Sequence, residues 1–83
     1  MKYRDFEIIR DKTRSGSAYN VVKWVRQGVN DPLEGKVIAR LVASSCGDWR
    51  FSSVGTNLLD YYEDGLIEFI RDYLRILTVY NIT

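Results

Sequence analysis

A change of period divides this chain and limits what it can fold into. As far as Phe51, apolar and β-branched residues recur at every second position in short runs, and from Asn57 onward they recur every third and fourth. The first pattern belongs to half-buried strands and the second to an amphipathic helix. The order is several strands and then a helix, which predicts an α+β domain with an antiparallel sheet covered by one C-terminal helix. With 83 residues there is room for one such domain.

Three or four strands are expected. Tyr3 to Arg10 forms the first, with Phe6 and Ile8 sharing a face, and Asp11-Lys12-Thr13-Arg14-Ser15-Gly16-Ser17 turns the chain. Ala18 to Gln27 is the second. After the Gly28 to Gly35 loop, which holds the only proline, Lys36 to Ala43 is the most apolar stretch and reads as a central strand. Ser44-Ser45-Cys46-Gly47-Asp48 is a further turn, and Trp49-Arg50-Phe51 supplies a short fourth strand.

Thr56 or Asn57 can cap the helix, and Leu59, Tyr62, Leu66, Phe69, Ile70, Tyr73 and Leu77 form its apolar stripe. Phe69, Ile70 and Tyr73 are expected to face the sheet. Acidic residues cluster early in this stretch and Arg71 and Arg75 come late, as the helix dipole favours. Gly65 is discordant: a glycine inside a helix costs about 1 kcal/mol relative to alanine, so a kink or a break is expected at Asp64-Gly65. Thr78 to Thr83 alternates again through Val79, Tyr80 and Ile82 and reads as a short terminal strand.

A core this small needs close packing, a cross-link, a metal or a partner. One cysteine, Cys46, cannot make an internal disulfide, and the absence of histidine removes the commonest metal ligand. No cofactor or metal is expected. Neither Cys46 nor any serine or threonine has a histidine to activate it, and the carboxylates Asp60, Glu63, Asp64 and Glu68 fit an ordinary solvated helix face. The chain therefore reads as non-enzymatic. No apolar run is long enough to span a membrane, and Met1-Lys2-Tyr3-Arg4-Asp5 leads into mixed polar sequence rather than a signal-peptide core, so a cytoplasmic location is expected. The Asn-x-Thr pattern at Asn81 is read as chance.

Binding is the remaining class of function. Six tyrosines and two tryptophans exceed what a small core can bury with every polar tip satisfied, so some rings should reach the surface. Trp24, Trp49, Arg50, Tyr61 and Tyr80 are the candidate contacts for a larger protein partner, although Trp49, Phe51 and Tyr62 also fit as core residues with wet polar tips. Small non-catalytic chains acting as inhibitors, adaptors or subunits are typical of phage and mobile-element proteins that block host defence, anti-CRISPR proteins included.

Nucleic acid is the alternative partner. Arg10, Lys12 and Arg14 at the first turn, joined by Lys23 and Arg26, could neutralise phosphates while Tyr19 and Trp24 stack on bases. The layout of a small sheet followed by a helix resembles that of plant AP2-type and phage-integrase amino-terminal DNA-binding domains. That resemblance is architectural and carries over no residue role. A third expectation is a homo-oligomeric structural protein, such as a homodimer, paired through a strand edge or a helix face. The net charge of +1 conceals a division, because residues 1–50 hold ten Lys/Arg against six Asp/Glu and residues 51–83 hold two against five.

Overall fold

The alternating runs pair in chain order. A computed structural model of the chain describes residues 1–13 and 18–80, with Tyr80 given by its backbone alone. Strands β1 (Lys2–Tyr3), β2 (Phe6–Arg10), β3 (Ala18–Val25), β4 (Glu34–Ala43) and β5 (Trp49–Ser53) form an antiparallel meander, each hydrogen-bonded to the next. Helices α1 (Asn57–Asp60) and α2 (Asp64–Tyr80) follow.

The sheet has five strands where the sequence predicts three or four. The expected first strand is a hairpin: Tyr3 faces Phe6 across a two-residue turn at Arg4 and Asp5. Arg4 adopts a φ of 51°, a left-handed conformation that favours glycine, so the turn has no Gly or Asn to announce it. Asp11 ends β2 with an Asx turn, in which one side-chain oxygen accepts from both the backbone N–H and the hydroxyl of Thr13.

A β-bulge sets which face of β4 is apolar. Val21 faces Ala39 while Val22 faces Val37, which leaves Ile38 as the extra residue on β4. Ile38 and Ala39 can therefore both be fully buried, with Val21 and Leu41 beside them. From the bulge to its end β4 puts Ala39 and Leu41 toward the helices, and before it the outward positions are Val37 and Gly35.

One face of the sheet receives the helices. Phe6, Ile8, Val21, Ile38, Leu41 and Trp49 pack with Leu58, Leu66, Ile67, Ile70 and Leu77 in a single core. Phe69 stacks on Tyr3 at 5.6 Å, and Tyr73 meets Tyr19 edge-on at the same separation, so Phe69, Ile70 and Tyr73 do face the sheet. α2 thus runs from β1 at one edge of the sheet toward Tyr19 and its neighbour Trp49.

Three features of the helical region differ from the sequence expectation. The break falls at residues 61–63, and Gly65 is the second residue of α2. A Cβ at Gly65 would overlap the hydroxyl of Tyr3, so close approach of that ring explains the glycine. The break also resets the helical phase. Asn57 Nδ2 donates to the carbonyl of Val37 at 3.0 Å and α1 turns Leu58 into the core, leaving Leu59 (72%) and Tyr62 (58%) exposed where the stripe had placed them inside.

The third difference is the terminal strand: Thr78, Val79 and Tyr80 are helical, and Asn81 to Thr83 lie outside the described residues. β-branched residues lose only a few tenths of a kcal/mol in a helix. Leu77 keeps the three-four spacing and is buried, while the Thr78 hydroxyl donates to the Leu74 carbonyl at 2.9 Å.

Candidate binding face

With the helices on one side, no helix among the described residues covers the opposite face of the sheet, called here the open face. Strand alternation and register place Trp24 beside Gly35; then Lys2, Glu7, Val22 and Val37 in a row; then Ile9, Asn20, Arg40 and Ser52; then Ala18, Val42 and Arg50. Among the described residues the cations Lys2, Arg40 and Arg50 stand on this face with the carboxylate Glu7, and Asp11, opposite Ala18 just beyond β2, continues the same alternation. The acidic side chains of α1 and α2 belong to the helical layer. The charge division in the sequence is therefore a division between two layers of the fold.

Trp24 is the fixed point of this face. Its ring lies over Gly35, where a Cβ would come within 3.2 Å of a ring carbon and 2.8 Å of a Val22 methyl. Its indole N–H donates to Glu7 Oε1 at 3.0 Å, which also engages that carboxylate. Half-buried and held at both ends, the ring presents a rigid apolar surface with little rotamer freedom left to lose. A groove of about 330 Å³ runs beside it, lined by Lys2, Arg4, Asp5, Phe6, Glu7 and Leu33.

Arg40 is the central cation. It faces Asn20 across the β3–β4 ladder, and Arg40 Nε and Asn20 Oδ1 are both buried without a hydrogen bond among the described residues. A donor and an acceptor with unused capacity sit side by side there. Arg50 is exposed at the β5 end of the same face.

The sequence-derived candidates do not assemble into one surface. Trp24 and Arg50 share the open face. Trp49 is 8% exposed and packs against Tyr19 at 5.7 Å, so it belongs to the core. Tyr61 is half-buried on the helical side, edge-on to Phe6. Tyr80 is placed on the last turn of α2, and its side chain lies outside the described residues.

The basic set is also divided. Arg10 faces Tyr19 at one end of the β2–β3 ladder while Lys23 faces Phe6 at the other, so Arg10 and Lys12 stand apart from Lys23 and Arg26. Arg14 lies outside the described residues. Lys23 is already engaged: its ammonium bonds Asp5 at 3.0 Å and sits 4.9 Å above the Phe6 ring. It faces Lys36, whose ammonium lies 5.5 Å above Tyr61, so rings and carboxylate offset a like-charge pair. Sequence reasoning missed Arg40 and Lys2. Their signal was positional, since each lies on the open face only once register and bulge are known.

Cys46 is exposed in the β4–β5 turn beside Gly47, which has a φ of 89°. Among the described residues, no group of three or more His, Cys, Asp or Glu side chains is placed to share a metal ion. No helix there is long and apolar enough to cross a membrane. Comparison with protein families, curated proteins and solved structures finds no match for this chain.

Proposed function

We propose that this chain is a non-catalytic protein-binding module, an inhibitor, adaptor or subunit that occupies an acidic surface of a larger partner with the open face of its sheet. The observation that carries the reading is the combination on one uncovered face of a rigidly seated Trp24 with Lys2, Arg40 and Arg50 and with the apolar Ile9, Val37 and Val42. An aromatic anchor and arginines are the residue types that dominate binding hot spots, and the surrounding cations favour a partner of opposite charge. The lack of any histidine accords with a role that involves no acid–base chemistry.

The test is affinity capture from the native host with two variants. A face variant, Trp24→Ala with Arg40→Ser and Arg50→Ser, should lose the partner while remaining folded by circular dichroism. A helix variant, Glu68→Lys with Asp72→Lys, should retain it. Equal capture by the wild type and the folded face variant would refute the reading.

The same face supports a second reading, binding of nucleic acid, because cations flanking a fixed indole ring also suit phosphates and stacked bases. It predicts affinity for single- or double-stranded oligonucleotides that falls steeply with salt and with loss of Arg40 and Arg50. Absence of binding at low salt removes it.

A further inference from the structure

The two edges of the sheet differ. At the β1 edge the terminal strand is two residues long, carries Lys2, and ends at a turn, which are the features that discourage another strand from pairing. The β5 edge is five residues long, and its single charge, Arg50, stands on the open face with its backbone groups turned toward β4. Ser44 N–H bonds the Asp48 carbonyl and Val54 N–H bonds the Ile38 carbonyl, which fixes the alternation between them: residues 50 and 52 direct their backbone groups toward β4. Trp49, Phe51 and Ser53 direct theirs outward, and no hydrogen bond among the described residues uses those groups. The strand holds no proline, bulge or inward-pointing charge.

We infer that β5 pairs with β5 of a second copy of this chain, antiparallel and about a two-fold axis at Phe51. In that register Phe51 meets its symmetry mate as a hydrogen-bonded pair, and Trp49 faces the second copy's Ser53, so every outward group of the strand is satisfied. Arg50 falls opposite Ser52 and not opposite the other Arg50. The largest residues, Trp49 and Arg50, thus meet the smallest, Ser53 and Ser52, and like charges lie on the diagonal. This self-complementarity is what selects a second copy over a foreign strand. The product is a continuous ten-stranded sheet with two open faces side by side.

Sedimentation velocity from 1 to about 300 µM, with reductant present so that Cys46 cannot cross-link, should show a monomer–dimer equilibrium. Ser53→Pro removes one outward N–H without touching the β4 ladder, as proline is tolerated on edges, and should leave a folded monomer throughout. Ser52→Glu places a carboxylate opposite Arg50 of the other copy, twice per dimer, and should tighten association by roughly two- to thirtyfold. Two findings would overturn the inference: wild type and Ser52→Glu both monomeric over the whole range, or a dimer that survives Ser53→Pro unchanged.

Discussion

The contact between Gly65 and Tyr3 sets two known effects against each other, and their balance can be measured. Placed in a helix with open surroundings, Gly65→Ala would stabilise by up to about 1 kcal/mol. In this fold the new methyl would overlap the Tyr3 hydroxyl and come within 3.1 Å of the ring carbon that bears it. The ring cannot step aside freely, because it stacks on Phe69 at 5.6 Å and on Phe6 at 6.4 Å. Displacing it forfeits roughly 0.5–1.5 kcal/mol per aromatic pair, within the usual range of overpacking losses. Gly65→Ala alone should therefore destabilise the domain by about 1–2 kcal/mol. Removing the ring reverses the sign: on a Tyr3→Ala background, itself destabilised, Gly65→Ala should stabilise by up to about 1 kcal/mol. The coupling between the two sites is then roughly 2 kcal/mol, read from a double-mutant cycle by urea denaturation followed by tryptophan fluorescence and circular dichroism. A stabilising Gly65→Ala in the wild type, or a coupling near zero, would show that Tyr3 does not hold the start of α2.

Two other perturbations test the rest of the structure. Gly35→Val should unseat Trp24, destabilise by about 1–3 kcal/mol, and shift the indole emission to the red; unchanged stability and emission would mean the ring does not rest on Gly35. Burial, together with the neighbouring Tyr19, raises the Tyr73 pKa above its ordinary 10.0. A group with a raised folded pKa contributes stability that is whole below the unfolded value and is lost as pH rises through the folded one. The wild type should thus weaken above about pH 10 more than Tyr73→Phe does; identical alkaline profiles for the two proteins would contradict that burial.

The order of elements was legible in the sequence because period is a local property. Phe6 and Ile8, Ala39 and Leu41, and Leu66, Ile70 and Leu77 declare their faces without knowledge of any neighbour. What depended on tertiary contact was not legible. The β1–β2 turn rests on Arg4 in a conformation favoured by glycine, and the bulge at Ile38 exists only between paired strands. The phase of α1 is set by a bond from Asn57 to a strand twenty residues earlier. The candidate face illustrates the same limit. Trp24 and Arg50 were picked out by residue type, but Arg40 and Lys2 join them only through register. Residue type likewise could not separate Trp49, which is core, from Trp24, which is not.

The claim that the open sheet face meets the partner is tested most directly by site-specific photo-crosslinking. A photoreactive side chain would be placed in turn at Ile9, Val37 and Val42 on the open face, away from the β5 edge, and at Glu68 and Asp72 on α2. After exposure to native host extract, the three face positions should cross-link to one and the same acidic protein, and the two helix positions should not. Cross-links to a single protein from Glu68 and Asp72, with none from the sheet positions, would contradict the account.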